Sequence, residues 1–337
     1  MQAVLPAGHP PVKPRRIGVL LTNLGTPDGS DVRSVKRYLG EFLSDRRVVE
    51  IPPLLWQPIL RGIILNTRPK KSAHAYSMVW TADGSPLAAI TKAQNAALQG
   101  AFGPDVMVDW AMRYGKPAIG ERLQAMKDAG CDRILIAPLY PQYCAATTAT
   151  ANDKAFAALA KMRWQHALRT LPPYHDDPAY IEALAQSIEQ GVAALDFEPD
   201  ALIASFHGMP KRTLELGDPY HCHCQKTGRL LGERLGKPLI VSFQSRFGPA
   251  KWLEPATDLT LEELPAQGVR KVAIFAPGFS ADCLETLEEL AIRGRESFED
   301  KGGTHFAYIP CLNASDIGIK MLRALLAREL EGWTNPA

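Results

Sequence analysis

Short apolar runs recur along this chain, each closed by glycine, proline or a polar residue. They are IGVLLTNLG (17–25), VMVDWAMRYG (106–115), RILIAPLYP (133–141), ALIASFHG (201–208), PLIVSFQS (238–245), KVAIFAPG (271–278) and HFAYIP (305–310). Most are continuously apolar rather than alternating. That pattern suits parallel strands covered on both faces. Between them the apolar spacing is helical. After Ser30, an available N-cap, apolar side chains fall at Val32, Val35, Tyr38, Leu39, Phe42 and Leu43. Similar patterns occupy 85–101, 118–129, 179–195, 223–235 and 315–331. Strands alternating with helices predict an α/β fold.

Three runs precede residue 150 and four follow it, with the proline-rich stretch RTLPPYHDDPAY (169–180) between the groups. The expectation is two Rossmann-like domains, each a mostly parallel sheet flanked by helices, with a cleft between them. The first spans 16–168 and the second 169–314, with helix 315–331 packed back on the first. A length of 337 residues accommodates two domains of ordinary size. Ligands in such sheets bind beyond the carboxyl ends of the strands. Those ends carry Asn23–Gly25, Arg113–Tyr114, Tyr140–Tyr143, His207, Gln244–Arg246 and Pro277–Ser280.

A net charge of +2 offers no field for nucleic acid, so no nucleic-acid partner is expected. Prolines interrupt the N-terminal MQAVLPAGHPPVKPRR, and no apolar run is long enough to span a bilayer. The expected location is cytoplasmic. Six cysteines are too sparse for a disulfide scaffold, which points to reduced thiols.

His207 has two readings, a strand-end histidine bonded to a carbonyl or a functional imidazole. Ser205 lacks the Gly-x-Ser-x-Gly elbow and reads as a strand residue. In PGFSADCLETLEELAIRG (277–294), Asp282 or Ser280 is placed to cap a helix whose buried stripe is Leu284, Leu287 and Leu290. Glu285 and Glu289 share a face, with Glu288 beside them. The acids suit a first helical turn, with Asp282-x-x-Glu285 resembling a capping box. They equally suit a divalent cation. Imidazole and carboxylate together fit Fe²⁺ or Zn²⁺. No His-Glu-x-x-His, P-loop or Gly-x-Gly-x-x-Gly motif is present.

LLTNLGTPDGSDVRSVKRYLGEFLSDRRVV, SFHGMP, GDPY, FQSRFGPAKWLEPATD and PGFSADCLETLEEL together resemble the ferrochelatase family, bacterial members above all, from about Ile17 to the last helix. The resemblance implies two Rossmann-like domains around a porphyrin cleft, and insertion of Fe²⁺ into protoporphyrin IX as the last step of haem synthesis. It implies that His207 and Glu285 are catalytic and bind the metal, with Glu289 as a further metal residue one turn on. Arg293 ends the line of acids, and Cys283 stands where many relatives have histidine. Trp252 and Leu24 are the implied ring contacts. Arg113, Tyr114, Arg46 and Ser245 are candidates for the propionates, since arginine binds carboxylates bidentately.

The stretch PPLLWQPILRGIIL fits a pocket lip within about 40–68, with peripheral membrane contact as a further use. HCHC (221–224) raises a [2Fe–2S] cluster on Cys144, Cys222, Cys224 and one more thiolate, with zinc on His221 and His223 as the alternative. Competing functions are a chelatase for another tetrapyrrole, such as coproporphyrin III or a cobalt-loading relative, and a non-catalytic tetrapyrrole or metal carrier. A carrier has no need of a base facing pyrrole nitrogens, so the His207–Glu285 pair discriminates between them.

Overall fold

The computed structural model describes residues 6–9 and 12–334, so part of the proline-rich N-terminus lies outside the described residues. The apolar runs become β1 (Arg16–Gly25), β2 (Val106–Tyr114), β3 (Cys131–Pro138), β5 (Ala201–His207), β6 (Leu239–Gln244), β7 (Lys271–Phe275) and β8 (His305–Ile309). An eighth strand, β4 (Ala167–Thr170), was not expected. It has four residues, none of them fully buried, and pairs along one edge of β3. A strand so short and exposed carries no apolar run. It also straddles the expected boundary at 168.

All pairings are parallel, in two four-stranded sheets ordered β2-β1-β3-β4 and β6-β5-β7-β8. The halves thus repeat one topology, and each central strand, β1 and β5, lies between two neighbours. Register places His207 beside Gln244 and Gly25 beside Tyr114. The residues that end these strands therefore meet at one edge of each sheet. Gly25 is required there. Its φ is +117°, and a Cβ would fall 1.9 Å from the Tyr114 carbonyl oxygen.

Helices cover the sheets at Val32–Phe42, Pro86–Phe102, Ile119–Asp128, Thr150–Leu159, Pro178–Ala193, Tyr220–Leu235 and Asp316–Glu329. The first is capped by Asp31 rather than Ser30, because the Asp31 carboxylate accepts the N–H groups of Arg33 and Ser34. The lip segment forms Pro53–Ile59, a π-wound turn Leu60–Ile64 and the helix Leu65–Val79. It leaves Leu54 91% exposed and Leu55 65% exposed.

The largest buried cluster joins Leu21, Leu135, Phe206, Phe243 and Phe275 with Leu322 and Leu326, so the two sheets share one core. The last helix, Asp316–Glu329, packs against Pro86–Phe102 of the first half and Pro178–Ala193 of the second. Arg323 donates to the Ala101 carbonyl, and Arg328 pairs with Asp177. It bridges the halves rather than serving the first alone. Among the described residues no helix is long and apolar enough to cross a membrane.

Candidate active site

β5 carries His207 to the sheet edge because the preceding ALIASF is buried throughout its last five residues and holds the strand in the core. Beyond it, Gly208 N–H donates to the Gln244 carbonyl at 2.7 Å. A Cβ at 208 would lie 2.4 Å from that oxygen and 3.3 Å from the Trp252 ring, so only glycine fits. The His207 side chain is half-buried, with Nδ1 2.7 Å from the Gly208 carbonyl oxygen. A carbonyl can only accept, so Nδ1 carries the proton and Nε2 presents a lone pair. Tyr220 Oη donates to the His207 carbonyl at 2.9 Å, and the Phe279 ring stands 6.4 Å away. Ser205 is fully buried, bonded to Gln244 and Thr257 at 2.8 Å each, which fits a strand residue and not a nucleophile.

The glutamates lie on Glu285–Gly294, which is π-wound. Such turns bond i to i+5 and recur at functional sites. The wider winding changes which residues share a face. Thr286, Glu288, Leu290 and Gly294 are buried, whereas Leu284 and Leu287 of the expected stripe are only half-buried. Nor is Asp282 or Ser280 a helix cap, since no side chain caps this helix. The Asp282 carboxylate instead accepts the hydroxyls of Thr286 (2.9 Å) and Tyr308 (2.5 Å) and the Asn313 amide (2.6 Å).

Gln244 holds the start of the acidic helix by donating Nε2 to the Glu285 carbonyl at 2.8 Å. Ser245, at φ +66°, grips Glu289 through its N–H (2.7 Å) and Oγ (2.6 Å). That left-handed conformation is uncommon for a residue other than glycine. Burial raises the Glu289 carboxyl above its ordinary value, against the pull of the Ser245 hydrogen bond and of His207. Arg293 ends the acidic line, 2.8 Å from Glu288 and 3.9 Å from Glu289. His207, Glu285, Glu289 and Ser245 are thus drawn to one edge of the second sheet.

Trp252 is half-buried beside them. It packs on Phe247 at 5.0 Å and donates Nε1 to the Phe247 carbonyl. Leu24 and Leu284 pack on the same buried cluster as Tyr38, Tyr76 and Tyr114. Arg113 and Tyr114 are committed internally. Arg113 pairs with Asp45 and bonds Thr150, and the buried Tyr114 donates to Asp45 at 2.9 Å. Arg46 is exposed.

Sequence reasoning passed over Arg68 and Tyr76. Arg68 stands 4.6 Å over the Phe247 ring, and burial lowers its pKa while the Glu285 charge opposes that shift. It makes no ion pair among the described residues. Tyr76 is buried, and desolvation and the Glu285 charge both raise its hydroxyl's pKa. Neither residue sits at a strand end or in a recognisable motif. Helical spacing from the lip is their only signal.

All six cysteines are free. Cys144 and Cys224 are buried electrostatic neighbours; burial pushes Cys144 up to about 12 and Cys224 well above its ordinary value. Cys222, on the helix Tyr220–Leu235 that also carries Cys224, is exposed. His223 accepts the Tyr143 N–H at 3.2 Å and stacks on His175 at 3.6 Å. Among the described residues no group of three or more His, Cys, Asp or Glu side chains stands in metal-holding geometry.

The ferrochelatase family profile matches residues 16–330. A ferrochelatase of Rhizobium meliloti is 60% identical over 332 residues, covering 96% of this chain and 98% of its own. Those of Agrobacterium fabrum and Mesorhizobium japonicum are 54% and 53% identical, covering 98% and 97% of this chain and 98% and 95% of their own. Among solved structures, SirB from Bacillus subtilis with Fe³⁺ has a TM-score of 0.58 at 11% identity, covering 94% of this chain and 97% of its own. CbiX, of siroheme biosynthesis, has a TM-score of 0.51 at 12% identity, covering 94% and 100%. The overall fold is thus shared with chelatases of very different sequence, and ferrochelatases more than half identical match over nearly the whole length, so this chain belongs to the ferrochelatase family.

Proposed function

We propose that this chain inserts Fe²⁺ into protoporphyrin IX to form protohaem, with His207 as proton acceptor and metal contact and Glu285 as metal ligand or proton carrier on the same path. Family membership makes the chain a metal chelatase of the lyase class, acting in haem synthesis with a porphyrin and ferrous iron as substrates. The observation that carries the residue reading is the 2.7 Å contact of His207 Nδ1 with the Gly208 carbonyl oxygen. The Nδ1 proton is held by the Gly208 carbonyl, which leaves Nε2 free to take a pyrrole proton.

Insertion releases two N–H protons for each iron gained. A neutral imidazole takes one of them, and the carboxylates of Glu285 and Glu289 carry the other toward solvent; the same carboxylates offer oxygen ligands to replace water on the cation. Ser245 fixes Glu289, so in this reading it acts through that carboxylate. Trp252 and Leu24 serve as apolar walls that hold the ring. Arg68, half-buried and without an ion-pair partner among the described residues, suits a propionate, whereas Arg113 and Tyr114 hold Asp45. Exposed Arg46 remains available to a propionate at the rim.

The exposed Leu54 and Leu55 favour a peripheral contact of the lip with a membrane surface on the cytoplasmic side, where a poorly soluble porphyrin is delivered. The thiols lend a [2Fe–2S] cluster no support, because Cys222 is exposed whereas Cys144 and Cys224 are buried. A visible spectrum of the isolated protein tests that directly.

The deciding assay is anaerobic, with Fe²⁺ and protoporphyrin IX or coproporphyrin III, followed by the haem spectrum. Turnover on protoporphyrin, lost in folded His207→Ala and Glu285→Ala, is expected. Preference for coproporphyrin would replace the substrate, and tight porphyrin binding without turnover would overturn the reading.

A further inference from the structure

Helix Pro86–Phe102 buries the stripe Leu87, Thr91, Gln94 and Leu98, in which two of four side chains are polar. Gln94 is fully buried. Its Nε2 donates to the carbonyls of Ser280 (2.9 Å) and Asn313 (3.0 Å), which lie on loops leaving β7 and β8 of the other half. Both hydrogens of one amide thus bridge the two sheets. A buried amide in place of an apolar side chain is costly unless it is bonded, and its Oε1 has no partner among the described residues. Helix packing alone would be met by leucine.

The two loops continue the connection. Asn313 N–H donates to the same Ser280 carbonyl at 3.1 Å. The Asn313 side chain bonds Asp282 twice, giving Nδ2 to the carboxylate (2.6 Å) and accepting Asp282 N–H (2.8 Å). Asp282 in turn accepts the Thr286 hydroxyl at 2.9 Å, one residue beyond Glu285. An unbroken series of contacts runs from the first half to the root of the acidic helix. The same stripe reaches the end of β1, where Thr91 Oγ1 accepts Asn23 Nδ2 at 3.2 Å, next to Leu24.

We propose that Gln94 is a positioning residue for iron insertion: through Ser280, Asn313 and Asp282 it sets the placement of Glu285 relative to His207 across the domain boundary. It touches no reacting atom, and its role rests on the reading of Glu285 as a metal contact. Misplacing a reacting group by a fraction of an ångström to an ångström costs roughly ten- to a hundredfold in rate.

The test uses the full chain with Gln94→Leu, Gln94→Glu and Asn313→Gly, beside Glu285→Gln. Asn313 sits at φ +50°, so glycine keeps its backbone while removing both side-chain bonds to Asp282. Gln94→Leu and Asn313→Gly are expected to lower kcat about tenfold with KM for porphyrin within about twofold, in protein that melts cooperatively. Gln94→Glu faces carbonyl oxygens with an acceptor when ionised, and burial raises its pKa. Protonated, it regains one donor, so its activity relative to wild type should recover from about pH 8 to about pH 6, whereas that of Gln94→Leu should not. Wild-type kcat in folded Gln94→Leu or Asn313→Gly overturns the proposal. So does a Gln94→Glu profile parallel to wild type. Should Gln94→Leu fail to fold, Asn313→Gly decides alone. Wild-type turnover in Glu285→Gln would instead sink the site reading on which the proposal stands.

Discussion

Gln244 Nε2 lies 2.8 Å from the Glu285 carbonyl oxygen, so the end of β6 holds the root of the acidic helix. The Gln244 backbone carbonyl receives the Gly208 N–H, and its side-chain oxygen receives the Ser205 hydroxyl. One buried residue therefore ties the His207 strand end to the Glu285 helix. Gln244→Leu keeps the backbone bond and removes the side-chain pair. Leaving a buried carbonyl unpaired costs about 1–3 kcal/mol. Thermal melts should show that loss, and haem formation should slow by about tenfold with porphyrin binding kept. A variant of lowered stability but unchanged kcat would reduce Gln244 to a structural role.

Two arginines that look alike in sequence are placed differently. Arg113 pairs with Asp45 where both side chains are nearly buried, 12% and 10% exposed. Removing one member of a buried pair is costly, on the order of 3–5 kcal/mol. Arg68 has no such partner among the described residues and stands over Phe247. Arg113→Leu should therefore act mainly on stability, seen as a lower denaturant midpoint. Arg68→Gln should act mainly on KM for porphyrin, raising it about ten- to a hundredfold, as expected for one charge-assisted contact of about 1.5–3 kcal/mol. The opposite split would exchange their roles.

The strand ends were legible because a parallel strand buried on both faces needs an apolar run, and its stop exposes the next residue. His207, Gln244 and Ser245 were found in that way. What was not legible depended on contacts between distant segments. β4 has four residues and no apolar run. Arg68 and Tyr76, on the helix that follows the π-wound Leu60–Ile64, come near Glu285 from far along the chain, and nothing local announces that approach or the i to i+5 bonding. The same winding displaced the expected Leu284–Leu287 stripe. Arg113 is a propionate candidate by resemblance, and its pairing with the nearly buried Asp45 is a tertiary fact that no local pattern carries.

Leu54 and Leu55 project from the lip at 91% and 65% exposure, with Ile63 at 58%. Exposed apolar side chains in a row favour an apolar surface, at about 25 cal/mol for each Å² removed from water. Leu54→Asp with Leu55→Asp should weaken flotation with phosphatidylglycerol-containing vesicles, while leaving turnover on detergent-dispersed porphyrin within about twofold. Equal flotation of wild type and variant would show that the lip does not dock on lipid.

His175 and His223 stack at 3.6 Å with rings 5° apart, on the seam where Tyr143 N–H meets His223. Burial, and then the neighbouring His223 charge, lower the His175 pKa to about 4. In the unfolded chain it titrates near the ordinary 6.5. Between these values the unfolded state binds more protons than the folded one, so stability rises with pH. The contribution is intact above the unfolded value and is lost as pH falls from about 6.5 through about 4. His175→Phe keeps an aromatic face against His223 and removes the titration. Acidification across this window should lower its melting temperature less than that of wild type, and above the window the offset between the two should stay constant. Parallel curves would show that the pair titrates as it does in the unfolded chain.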